Sequence, residues 1–259
     1  SMKDLYQLVN GPWLESHVIP DDRGVDGTFH ALRDEAEELV HEIVDKDTGR
    51  PGKLYASFMD TEGVNAAGMA PLDADLDRLS TAGPEELAQR LGKLERTGVG
   101  SPVTFWVSKD SGSEDAIAYV IQSGLGLPDE AYYREESHAE TLSAYEKHVA
   151  EMLEFLDPAR LFGLGAEVAA HRIVSLEKEL AAGHWDVVST RDAVKTYNPC
   201  EFSELPTMTR ALLSGGNLPE HRVVNMMPSY LEHFESLFTT ARMADWQLWA
   251  TWHILRSRA

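Results

Sequence analysis

Ser175-Leu-Glu-Lys-Glu-Leu-Ala-Ala-Gly-His-Trp-Asp186, followed after a short polar gap by Arg191-Asp-Ala-Val-Lys-Thr-Tyr-Asn-Pro199, decides how the chain is read. The first run completes a helix that begins near Gly165. Ala166, Ala169, Ile173, Leu176 and Leu180 recur at three- and four-residue steps, which places them on one face. Glu177 and Glu179 fall off that stripe, and Gly183 is the expected stop. His184-Trp185, a bulky and partly polar pair, sits at the helix exit. Ser189 and Asp192 have the spacing of a capping box for a second short helix, with Asp in place of Glu or Gln. Asn198 ends that unit, because the residue before a proline is pushed out of the helical region. The stretch is expected to fold as helix, corner and helix. Periodicity by itself supports a core hairpin in a helical domain and nothing beyond it.

Working outward, Leu142, Tyr145, Val149, Met152 and Leu156 predict a long helix that Asp157-Pro158 breaks. On the other side, Pro206 opens a short helix, Ser214-Gly215-Gly216-Asn217 reads as a flexible loop, and Val223-Val224 reads as extended. Ser229 is the expected cap of a helix bearing Tyr230, Phe234, Leu237 and Phe238. Trp246, Trp249 and Trp252 share a last helix with no stop signal before Ala259, so a longer polypeptide is expected.

Toward the start, Val103, Phe105 and Val107 alternate with Thr104, Trp106 and Ser108. After a polar turn at 110–113, residues 116–121 are again apolar, which predicts one β-hairpin. Pro84 starts a helix with Leu87, Leu91 and Leu94 on one side. Residues 72–79 form a short helix, 63–71 are broken by glycine and proline, 54–61 are helical and 47–52 form a loop. Thr28 is the expected N-cap of a helix running to about Val44, its apolar side formed by Phe29, Leu32, Ala36, Leu39 and Ile43. Residues 3–20 are apolar-rich, with a break at Gly11-Pro12, and require a partner surface.

The 259 residues can form one large domain or two small ones. Hydrophobic residues make up 43%, enough for a core. The formal net charge of -20 excludes nucleic-acid phosphates and anionic membrane surfaces as partners, because both would be repelled over most of the surface. No apolar run approaches the ~18 residues of a membrane span. The single cysteine, Cys200, rules out an internal disulfide, and no charged-then-apolar leader opens the chain. A cytoplasmic location is the expectation.

His41-Glu42-Ile43-Val44-Asp45 has the first two residues of a zinc-peptidase helix, but Asp45 stands where the second imidazole is required. Acidic neighbours mark it as a solvent face. Glu167 and His171 lie one turn apart without a third partner. His184 and His253 read as packing, and Cys200 has no base near it in sequence. No nucleophile elbow, phosphate loop or dinucleotide fingerprint occurs. From these residues the chain is expected to supply no catalytic residue and no metal ligand.

The order of several segments resembles the neprilysin family of zinc metallopeptidases, bacterial branch. They are Asp4-Leu5-Tyr6 with Val9-Asn10-Gly11-Pro12-Trp13-Leu14, Ile19-Pro20, Gly27-Thr28-Phe29-His30-Ala31-Leu32-Arg33-Asp34, and Leu54-Tyr55-Ala56-Ser57-Phe58-Met59-Asp60. Leu125-Gly126-Leu127-Pro128-Asp129 with Tyr132-Tyr133 and the opening stretch follow in the same order. The resemblance implies a mainly α fold of long antiparallel helices with one β-hairpin. Residues 1–20 would dock on a catalytic lobe, and 21–259 would form a helical lobe enclosing the substrate.

Zinc would belong to that catalytic lobe, whose His-Glu-x-x-His helix this chain does not contain; this fragment would hold no cofactor. Peptide substrates and the catalytic lobe are the implied partners, and the chain alone would be inactive. The family's secreted members carry cysteines where Met2 and Asn10 stand here. Arg33 matches a family arginine that holds a peptide's terminal carboxylate, a role suited to the guanidinium fork. The other family arginine falls at Val25, with Arg23 as the available substitute. The competing reading of Arg33 is a helix-surface salt bridge with Glu37. The competing reading of the chain is a stand-alone helical peptide- or protein-binding module.

Overall fold

The computed structural model describes residues 4–258; Met2 lies outside them. The chain divides into two compact units, Ser1–Gly68 and Met69–Ala259. The boundary expected between residues 20 and 21 falls inside the first unit. Side chains on its two sides are tied together there, His17 to Asp26 at 2.7 Å and Arg23 to Asp34 at 2.8 Å.

The first unit holds α1 (Leu5–Ser16), α2 (Thr28–Lys46), α3 (Arg50–Met59) and α4 (Thr61–Ala67). α1 runs through Gly11-Pro12, where a break was expected. A proline's fixed φ is itself helical, so the helix continues with one backbone bond lost. Asp4 caps it, accepting from Tyr6 N at 3.0 Å. Thr28 is the first helical residue of α2 rather than its cap, which is Gly27. α3 begins inside the expected 47–52 loop, with Pro51 in its first turn. α4 occupies part of the stretch expected to be broken: Asp60 accepts from Gly63 N at 2.9 Å and starts the helix, and Gly68 at φ 51° stops it.

The second unit holds α5 (Asp73–Asp77), α6 (Pro84–Glu95), β1 (Val103–Lys109), β2 (Ala116–Gln122), α7 (Ala131–Arg134), α8 (Ala139–Leu153) and α9 (Ala166–Ala181). β3 (Pro199–Cys200), α10 (Thr207–Gly215), β4 (Val223–Asn225), α11 (Pro228–Leu237) and α12 (Met243–Arg258) follow. β1 and β2 form the expected antiparallel hairpin, Phe105 opposite Val120. β4 adds to it in parallel beside β2, and β3 pairs antiparallel with β4, giving the order β1-β2-β4-β3.

Around the opening stretch, α9 ends as its pattern predicts, but the second helix is absent. The Asp186 carboxylate accepts from Val188 N and Ser189 N at 2.9 and 2.8 Å, and Asp192 accepts from Val194 N and Lys195 N at 3.0 and 3.1 Å. Two side-chain turns thus take over the backbone donors that a helix would use. Ser189 opens only a single 3-10 turn, with no capping box.

α10 extends to Gly215, into the expected loop, because its glycines are packing residues. A Cβ on Gly92 of α6 would lie 1.9 Å from Leu212 O, and one on Gly215 would lie 2.1 Å from Gln89 O. α11 begins at Pro228, and Ser229 does not cap it; its Oγ accepts from Trp185 Nε1 at 2.8 Å. Around α12, every residue from Trp246 to Leu255 except Gln247 is buried. Trp246, Trp249, Tyr230, Phe234, Ile173 and Leu176 lie at the centre of the core. A helix apolar on all sides belongs inside a domain. Among the described residues no helix is long and apolar enough to cross a membrane.

Candidate functional site

Arg33 lies on α2, whose corner with α3 is fixed by Asp47. Its carboxylate accepts from Gly49 N and Gly52 N, both at 2.9 Å, and these bonds hold it below the usual carboxylate range. A Cβ at residue 52 would lie 1.8 Å from Asp47 O, so only glycine fits there. The two helices leave a groove of about 410 Å³ lined by Ala36, Val40 and Val44, with Arg33 and Glu37 also on its wall. His41 Nε2 and Tyr55 Oη meet at 2.7 Å across it.

Arg33 is exposed. Its Nε lies 3.4 Å from Glu37 Oε1 and its Nη2 lies 3.7 Å from Asp34 Oδ1. Ion pairs of this kind on a wet surface are weak and exchange partners readily. The guanidinium can therefore leave Glu37 for an incoming carboxylate. Arg23 is differently placed: its side chain is 18% exposed and lies 2.8, 3.3 and 3.8 Å from Asp34, Asp22 and Asp26. With Asp34 and then Asp22 accepting hydrogen bonds from it, its charge is held still more firmly than usual. Arg23 is committed within the unit. Asp26 accepts from Gly27 N at 2.8 Å and contacts His17, and both lower its pKa.

The rejected zinc motif stays dispersed. His41 is engaged with Tyr55, and Glu42 lies 3.9 Å from Lys46. His171 faces Glu146 at 3.0 Å. The Cys200 thiol is half-buried and its pKa is raised by desolvation first, so it is a poor nucleophile. Among the described residues no three His, Cys, Asp or Glu side chains converge on one point. The side chains present do not fit a catalytic zinc, and no hydrolytic step is assigned to them.

In the second unit, Glu177 was expected outside the apolar stripe but is fully buried. Tyr133 Oη donates to it at 2.7 Å and Tyr145 Oη at 3.1 Å, and His253 Nε2 lies 3.2 Å away. Trp252 Nε1 donates to Tyr145 Oη at 2.8 Å, and Tyr133 Oη accepts from Gly126 N and Leu127 N at 3.0 Å each. Burial, then the Glu177 charge, raises both phenols. Burial lowers His253, which also stacks on Trp249 at 3.8 Å. The missed signal was the four-residue step from Ile173 to Glu177. His184 lies 3.2 Å from Ser123 O, edge-on to Tyr230, and burial lowers its pKa to about 4, so it is neutral packing.

The sequence profile of peptidase family M13 matches residues 2–259. A crystal structure of the Mycobacterium tuberculosis zinc metalloprotease ZMP1 with an inhibitor is similar over 99% of this chain, at 39% identity and a TM-score of 0.84, and 42% of that chain is covered. Endothelin-converting enzyme-like 1 of Rattus norvegicus is 26% identical over 80% of this chain and 29% of its own length. Membrane metallo-endopeptidase-like 1 of Homo sapiens is 25% identical over 98% of this chain and 38% of its own length. The chain thus spans well under half the length of these relatives.

Proposed function

Since the chain belongs to peptidase family M13, matched over residues 2–259, we propose that it is the N-terminal helical lobe of a zinc metalloendopeptidase. The zinc, the water it activates and the general base then come from polypeptide outside these residues. This lobe covers the active site and admits only short peptides. Arg33 takes the substrate's terminal carboxylate by exchanging Glu37 for it. A free, half-buried Cys200 as the chain's single cysteine supports a cytoplasmic site of action.

The observation that carries the reading is the apolar exterior of the first unit. Leu8, Val9, Phe29, Ile43, Leu54 and Phe58 are each at least 67% exposed. Large apolar side chains left this exposed are what contact with another part of a protein would cover. The reading is tested with purified chain, supplied with zinc and a fluorogenic peptide. No chelator-sensitive cleavage is expected, and joining the chain to a following segment that contains His-Glu-x-x-His restores it. Robust chelator-sensitive cleavage by the chain alone overturns the reading. Tight peptide binding without cleavage in either form favours a stand-alone binding module.

A further inference from the structure

A second, polar cavity lies in the Met69–Ala259 unit, between α6, the 3-10 turn Phe202–Glu204, α10 and Glu220. It encloses about 480 Å³, within the range of small-molecule sites. Arg210 of α10 is the one cation lining it, facing a pocket that also holds Glu85, Glu201 and Glu220. Its Nε is shielded from solvent without a hydrogen-bond partner, and its Nη2 reaches only Thr207 Oγ1, at 3.3 Å. Arg90 and Arg242 of this unit are paired with Glu86 at 3.2 Å and Glu179 at 2.5 Å. Arg210 forms no such pair with any described residue, although three glutamates share its cavity.

A guanidinium with unused donors, held apart from carboxylates across a gap, is the complement of a small zwitterion. A ligand carboxylate pairs with the Nη end of the Arg210 guanidinium, since Nε is closed off from solvent, and a ligand ammonium is taken by one of the glutamates. A simple anion is repelled by those three charges. A divalent cation lacks its ligand set, because no three acidic, imidazole or thiol groups converge among the described residues. We propose that this cavity binds a small zwitterion with free carboxylate and free ammonium, an amino acid or dipeptide. The inference does not depend on the peptidase reading, since binding is measured on this chain without catalysis.

Titration calorimetry with glycylglycine, its N-acetyl derivative and its C-terminal amide tests it. The dipeptide is expected to bind saturably in the millimolar range, and each blocked form at least tenfold more weakly, about 1.4 kcal/mol. Arg210→Gln is expected to lose dipeptide binding, while Arg210→Lys retains part of it. Absence of saturable binding, or equal binding of either blocked form, overturns the proposal. So does undiminished binding by Arg210→Gln. If that variant fails to fold, the three probes on the unaltered chain still decide.

Discussion

Both units carry helices with apolar residues, yet they use them in opposite ways. In Met69–Ala259, Trp246, Trp249, Tyr230 and Phe234 are wholly removed from solvent. In Ser1–Gly68, the buried residues described are glycines, Gly11 and Gly52, while Phe29 is 87% exposed and Phe58 is 79% exposed. A periodic apolar stripe specifies a helix and the face it will bury, but it does not supply the surface that buries it. The second unit contains that surface. The first presents its stripes outward, held in shape by short-range bonds such as those of Asp4, Asp47 and Asp60.

Substitution at matched aromatic sites is the sharpest way to break this contrast. Trp249→Ala is expected to destabilise the second unit by about 4 kcal/mol, because it removes a fully buried indole and leaves a cavity. Phe29→Ala is expected to change stability by less than about 0.5 kcal/mol. Denaturant unfolding of both variants checks the pair, and similar losses would contradict the account. Glu177→Ala is expected to cost about 3 kcal/mol, since it strands the hydroxyls of Tyr133 and Tyr145 in a dry interior. Its melting temperature measures this.

Glu95 offers a pH-resolved test of the second unit's dryness. Burial raises its pKa from 4.5 to about 7, opposed by Thr104, and its Oε2 has no partner. The folded protein therefore holds this proton more tightly than the unfolded chain does. The resulting stability is fully present below pH 4.5 and is lost as pH rises through about 7, about 3 kcal/mol at most. Glu95→Gln is expected to flatten this slope and to leave the protein more stable than the parent at pH 8. An unchanged pH profile of unfolding would contradict it. The smallest effect is expected at the α2–α3 corner. Asp47→Ala there removes two backbone caps, loosens the unit by about 1 kcal/mol and speeds amide exchange at Gly49 and Gly52.

Much of the second unit was legible because its signals are local and redundant. The Val103–Ser108 alternation with the apolar run at 116–121, Pro84 at a helix start and the tryptophan spacing each correspond to an observed element. The failures share a cause, which is competition for the same backbone donors or space. Asp186 and Asp192 captured donors that the helix after Trp185 needed, and Asp60 started a helix across Gly63. Gly215 served contact with α6 rather than flexibility. Glu177 was set off the apolar stripe, although it follows Ile173 by one turn and its partners come from α7, α8 and α12. Such long-range partners leave no mark in the sequence near Glu177. Of the candidate site, the Arg33–Glu37 pair was legible from helical spacing, whereas Arg33 as a carboxylate holder came from the resemblance alone. The commitment of Arg23 to three carboxylates was not, because Asp34 lies eleven residues away.

Residue-resolved amide hydrogen exchange on the isolated chain tests the contrast most directly. The account predicts strong protection across α9 and α12 and rapid exchange throughout α1 to α4, whose helices lack a buried apolar face. Protection of α1 to α4 equal to that of α12 would contradict it.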